Sequence, residues 1–86
     1  MNHYVYILKC GDGTYYTGYT NSLLKRYFKQ CAGKGAKYTK GRGPLEIVYW
    51  EMYDTKSEAM KREYRIKQLK RKQKEALIKK ADMVDL

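Results

Sequence analysis

A chain of 86 residues has room for one small domain, expected to span 1–86. Nineteen Lys and Arg against nine Asp and Glu leave a formal charge of +10, which excludes a neutral binding module and points to a polyanionic partner, nucleic acid or an anionic membrane surface. Disorder is opposed by 43% hydrophobic residues, among them ten Tyr, Phe28 and Trp50, enough apolar surface to offset the ordering entropy of a fold.

The predicted elements follow in chain order. Residues 4–10, YVYILKC, are nearly apolar on both faces and rich in β-branched and aromatic types, as a central strand would be. Gly11-Asp12-Gly13 is a turn signal and Thr14 to Tyr19 resume with β-formers, which predicts a hairpin. Asn21 is placed to cap a helix whose apolar positions are Leu23, Leu24, Tyr27, Phe28 and Cys31, with Gly33 as its terminating glycine. Residues 32–44 hold four glycines and the one proline, so no regular element is expected there. Residues 45–53, LEIVYWEMY, predict a third strand. Thr55 and Glu58 form a capping box that opens a helix carrying Ala59, Met60, Ile66 and Leu69, and a last helix is expected over roughly 71–81. The order β-β-α-β-α-α predicts an α+β fold, a three-stranded antiparallel sheet flanked by three helices.

The counts also exclude several chemistries. Cys10 and Cys31 have no metal-ligand spacing, and the one histidine, His3, is expected in a disordered end, so no zinc site, Ser-His-Asp triad or Cys-His pair is assembled. Two cysteines in a Lys-rich chain without a signal peptide read as reduced thiols in a cytoplasmic protein. The longest wholly apolar run is five residues, so no spanning helix is expected, and the C-terminal helices lack the aromatic stripe of a membrane-surface helix.

The charge is not spread evenly. Residues 55–80 hold eleven basic and three acidic residues, while the glycine-rich stretch adds Lys34, Lys37, Lys40 and Arg42 with Tyr38 among them. These five are the candidate nucleic-acid contacts, cations tracking phosphates with a phenol to stack or hydrogen-bond. A solvated helix face is the blander reading of the Lys-rich helices. The glycine spacing does not fit a Walker-type phosphate loop.

Four further features stand out by position: Tyr4-Val5-Tyr6 on the first strand, Tyr16-Thr17-Gly18 on the second, Arg26 in the first helix, and Glu63 on the apolar side of the second helix. A carboxylate on an inward stripe is costly unless it is paired or binds a metal. In this order the features resemble the GIY-YIG nuclease superfamily, two tripeptides on adjacent strands followed by a helix Arg and a helix Glu. The stretch Gly33-Lys34-Gly35-Ala36-Lys37-Tyr38-Thr39 is similar to that of its small stand-alone bacterial members. The resemblance covers nearly the whole chain.

The resemblance implies phosphodiester hydrolysis in DNA, with RNA as the other candidate substrate, assisted by Mg²⁺ or Mn²⁺. It makes Tyr6, Tyr16, Arg26 and Glu63 the candidate catalytic residues, with Glu63 as the metal ligand. One carboxylate suits Mg²⁺, which at about 2.1 Å keeps several waters. Arg26 would fork onto phosphate oxygens. Tyr6 and Tyr16 would position or deprotonate the attacking water, and a phenol acting as base must have its pKa lowered from about 10. Both tyrosines share a strand face only if the paired residue numbers sum to an even value, which requires a three- or five-residue loop, or a bulge, near Gly11 to Gly13.

The sequence departs from relatives at Gln30, where many carry His or Tyr, at Tyr19, where some carry Lys, and in lacking an Asn after the Glu. These departures keep open a second reading, a non-catalytic DNA- or RNA-binding protein on the same scaffold. Related nucleases borrow targeting from another domain, so a partner protein is a further expectation.

Overall fold

The computed structural model describes residues 2–33 and 39–84. Its elements are β1 (His3–Lys9), β2 (Tyr15–Thr20), α1 (Leu23–Cys31), β3 (Glu46–Tyr53), α2 (Lys56–Lys67) and α3 (Arg71–Val84), the predicted order. The three strands form one antiparallel sheet in the order β2-β1-β3. The run that is apolar on both faces therefore lies in the middle, with Val5, Tyr6, Ile7 and Leu8 all essentially inaccessible. His3, expected in a disordered end, opens β1 with Nδ1 2.7 Å from the Tyr19 hydroxyl.

Alternation along β1 divides the core into two layers. Val5 and Ile7 pack with Ala59 and Ile66 of α2, joined by Leu69 and by Leu77 and Ile78 of α3. Tyr6, Leu8 and Cys10 pack on the opposite face with Leu45 and with Leu23 and Tyr27 of α1. Helix α1 thus covers one side of the sheet and α2 the other.

The hairpin has the predicted loop. Lys9 pairs with Tyr15 and Tyr6 with Gly18, so the paired numbers have an even sum. The Cys10 N–H donates to Thr14 O at 2.8 Å and the Gly13 N–H to Cys10 O at 2.9 Å, enclosing Gly11-Asp12-Gly13 in a three-residue loop. Gly13 takes φ +85°, the left-handed position such a loop needs. Tyr6 and Tyr16 consequently share the α1 face.

The strand β3 contains a bulge. Ile7 pairs with Tyr49 and Leu8 with Ile47, which leaves Val48 as the extra residue. Ile47 therefore joins the α1 layer, whereas Val48, Tyr49 and Tyr53 join the α2 layer.

Capping follows the sequence with one change. Ser22, not Asn21, is the N-cap of α1, and its side chain makes no cap hydrogen bond. At α2 the Glu58 N–H donates to Thr55 Oγ1 at 3.2 Å, and that hydroxyl donates to Glu58 Oε1 at 2.8 Å. Gly33 ends α1 at φ +76°. Of the apolar stripe expected on α1, Leu23 and Tyr27 face the sheet, but Leu24, Phe28 and Cys31 are exposed. The inward positions are instead taken by Arg26 and Gln30, polar residues on a helix of only nine. No helix among the described residues is long and apolar enough to cross a membrane.

Candidate active site

Three of the four predicted catalytic side chains gather on the α1 face. The rings of Tyr6 and Tyr16 lie with centroids 6.2 Å apart. They can do so because Gly18 stands between them without a side chain. The Arg26 guanidinium stands beside Tyr6 and Tyr16, and the interaction of the two phenols with it raises its pKa, favouring its charged form. Its Nε is buried with no partner.

Tyr6 is buried, whereas Tyr16 is partly accessible. The Tyr6 hydroxyl donates to Gln30 Oε1 at 3.1 Å. Burial pushes the Tyr6 phenol up from its ordinary pKa, repulsion from Tyr16 adds to this, and the hydrogen bonds to Arg26 and Gln30 only partly oppose it. The expectation that a phenol here has its pKa lowered is therefore reversed at Tyr6. In this protein Tyr6 is a neutral hydrogen-bonding group.

Glu63 stands apart from this cluster. It lies on α2, three residues before Ile66 and four after Ala59, and so on the other layer of the sheet. Its side chain is 14% exposed, and Lys67 Nζ lies 3.7 Å from Oε1. That separation is too long for a hydrogen bond, and a pair of this kind leaves carboxylate lone pairs for a cation. Among the described residues no three His, Cys, Asp or Glu cluster as a metal cage. A single carboxylate fits Mg²⁺, which retains its waters and takes substrate phosphate oxygens.

The glycine-rich segment is described from Thr39 onward, and Lys34, Lys37 and Tyr38 lie outside the described residues. Lys40 is exposed. Arg42 is committed to the hairpin, with Nη1 2.6 Å from Asp12 Oδ2, and its carbonyl accepts the Gly11 N–H at 2.6 Å. A Cβ on Gly11 would fall 2.2 Å from Gly43 O, so the close approach of the two loops requires glycine there. Thr14, through its hydroxyl and backbone, and then Arg42 hold the Asp12 carboxyl below the usual range.

Two features escaped sequence reasoning. One is the inward stripe of Arg26 and Gln30, legible only as polar residues spaced i, i+4 beside Leu23 and Tyr27. The other is a network on the α2 side. Glu51 accepts hydrogen bonds from Tyr49, Tyr53 and Arg62, the last through Nε at 2.8 Å and Nη2 at 3.0 Å. Burial raises the Glu51 pKa, but the Arg62, Tyr49 and Tyr53 bonds outweigh it and hold the carboxyl below its ordinary value. Burial and the Glu51 charge push both phenols up to about 12. The spacing 49, 51, 53 places all three on one strand face, which was the available signal.

With this geometry in place, comparison with known proteins is informative. The chain matches a family model described as the GIY-YIG catalytic domain over residues 2–76. It is 60% identical to a UPF0213 protein of Halobacterium salinarum over 75 residues, covering 87% of this chain and 97% of that one. It is 58% identical to a UPF0213 protein of Staphylococcus saprophyticus over 76 residues, covering 88% and 93%. Among solved structures it is similar to a UPF0213 protein of Bacillus halodurans, with a TM-score of 0.60 and 53% identity, covering 92% of this chain and 84% of that one. A protein of E. faecalis gives a TM-score of 0.66 at 40% identity, covering 96% and 88%.

Proposed function

Because the chain belongs to the GIY-YIG family, a superfamily of nucleases, we propose that it is a divalent-metal-dependent endonuclease hydrolysing phosphodiester bonds in DNA. The observation that carries this reading is one half-buried arginine set beside two phenols, which places a fork of N–H donors on a face shared with two tyrosines.

Arg26 receives the non-bridging oxygens of the scissile phosphate and offsets the charge that grows on them in the transition state. Tyr6, neutral and enclosed, fixes the guanidinium. Tyr16, with part of its surface in solvent, is the phenol whose oxygen meets and orients the attacking water. Glu63 is the residue that would hold Mg²⁺ or Mn²⁺, which when bound supplies Lewis-acid stabilisation of the leaving oxygen. Since Glu63 lies on the opposite layer and β2 is an edge strand, a substrate that uses both sets of residues passes around β2. Lys40 and the basic residues before it contact flanking phosphates, and a cytoplasmic partner protein supplies the address, as for a structure-specific or repair nuclease.

The second reading, nucleic-acid binding without cleavage, is favoured by one observation: the enclosed Tyr6 is held protonated, and its partner Gln30 cannot exchange a proton. One experiment separates the two. Labelled duplex, branched and single-stranded DNA and RNA are incubated with the protein and with Glu63→Ala, with Mg²⁺ or Mn²⁺ and with chelator. Cleavage that depends on metal and vanishes in the variant supports the nuclease. Salt-sensitive binding to every substrate with no cleavage of any would leave only the second reading.

A further inference from the structure

Gln30 is 2% exposed, one turn after Arg26 on the sheet-facing side of α1. Its Oε1 accepts the Tyr6 hydroxyl, while its Nε2 is buried without a partner. Burying amide N–H donors unpaired is destabilising, and a methionine or leucine of similar size would fill the same space without that penalty. Space-filling therefore does not account for an amide here. Its acceptor end does.

A phenol has one proton and two lone pairs. With its proton directed at Gln30, the Tyr6 oxygen presents its lone pairs elsewhere, and the positive Arg26 guanidinium stands beside that same phenol. The polarity runs one way, from the Arg26 cation past the Tyr6 lone pairs to the Gln30 acceptor. A group at position 30 that could only donate would reverse the phenol and leave its proton facing a cation.

We propose that Gln30 is a positioning residue for Arg26, acting through Tyr6: by accepting the Tyr6 hydroxyl it fixes the phenol oxygen as the acceptor that orients the guanidinium toward the scissile phosphate. The proposal rests on the nuclease reading above. Because an amide does not titrate, the orientation persists across the range in which an imidazole at this position would switch from acceptor to donor, near pH ~6.5.

The test compares the full chain with Gln30→Leu, Gln30→Glu and Gln30→His. The readouts are the Tyr6 hydroxyl proton and Arg26 guanidinium resonances by NMR, and DNA cleavage as a function of pH. Gln30→Leu loses the hydroxyl resonance and lowers kcat roughly 10- to 100-fold with KM within about twofold, as loss of orientation alone would. Gln30→Glu, which still accepts, retains the resonance and recovers most of the rate. In Gln30→His the rate relative to wild type falls about tenfold per pH unit below pH ~6.5.

Wild-type kcat in Gln30→Leu, or a Gln30→His pH profile that superimposes on wild type, would overturn the proposal and leave the nuclease reading intact. If Gln30→Leu does not fold, the Glu and His variants decide it. If the wild type cleaves nothing, the nuclease reading fails, and the Arg26 resonance shift on adding DNA becomes the readout. A shift identical in wild type and Gln30→His at pH ~5.5 would then refute the positioning role, and a shift lost in Gln30→His at that pH would uphold it.

Discussion

Tyr6 and Gly18 face each other across the β1–β2 ladder, and a Cβ on Gly18 would lie 2.5 Å from the Tyr6 hydroxyl oxygen. It would also lie 2.9 Å from Cε2 of Tyr16. The glycine is therefore required by the two tyrosines and not by its own backbone, since φ is positive at Gly13, Gly33 and Gly41 but not here. Gly18→Ala is expected to drive the Tyr6 hydroxyl off Gln30 and to lower unfolding free energy by about 1–3 kcal/mol in urea titrations. Cleavage should fall with it, and an alanine variant of wild-type stability and activity would refute the packing argument.

Arg26→Lys keeps the charge but removes the fork. An ammonium cannot hold two phenols and still present paired N–H groups to a phosphate. We expect kcat/KM to drop roughly 100- to 1,000-fold while DNA affinity, read by fluorescence anisotropy, changes by less than about threefold. Equal losses in both would mean that Arg26 binds the substrate without acting on its transition state.

The Glu51 network makes stability depend on acid. Its carboxyl has a folded pKa below the usual value, so its contribution is present above about pH 4.5 and is lost as pH falls through the folded pKa. Glu51→Gln should cost about 2 kcal/mol at pH 7, a figure reduced for the partial exposure of Arg62, and should flatten the acid limb of a stability-versus-pH curve. A variant with an unchanged acid limb would assign that limb to other carboxyls.

The same network acts at the alkaline end with the opposite sign. Tyr49 and Tyr53 have folded pKa values of about 12, above the ordinary value near 10. Their contribution is complete below pH ~10 and is lost as pH rises towards 12, because the unfolded chain gives up those protons first. Thermal melts between pH 9 and 11.5 are expected to show Tm falling steeply above pH ~10, and Tyr49→Phe together with Tyr53→Phe should make that fall shallower.

Nucleic-acid affinity should distinguish Lys40 from Arg42. Lys40→Ala is expected to lower the slope of log K against log salt by about one phosphate contact. Arg42 is held by Asp12 at 2.6 Å, so Asp12→Asn is expected to strengthen binding by releasing it. Weaker binding by Asp12→Asn would mean that the hairpin contact itself organises the surface.

What the sequence disclosed followed from local chemistry. The central strand was legible because both faces of residues 4–8 are apolar, the loop length because two tyrosines had to share a face, and the α2 start because Thr55 and Glu58 hydrogen-bond within one turn. The remainder depended on partners that no local pattern specifies. Spacing placed Leu24 and Phe28 with the core of α1, yet both are 64% exposed, because the sheet meets the neighbouring stripe where Arg26 and Gln30 lie. The direction of the Tyr6 pKa was equally hidden, since it is set by how completely the layers enclose the ring. The Glu51 network depended on Arg62, eleven residues away on another element.

The extra residue at Val48 has a consequence for how this chain can change. It works as a frame marker: upstream of it the strand is read in one parity, with Ile47 under α1, and downstream in the other, with Tyr49, Glu51 and Tyr53 under α2. Point substitutions along β3 can be absorbed one side chain at a time. Losing a residue elsewhere in the strand cannot, because it would exchange inside for outside beyond the gap, whereas losing Val48 itself would leave Ile47 and Tyr49 as neighbours on opposite faces and every other side chain on its present side.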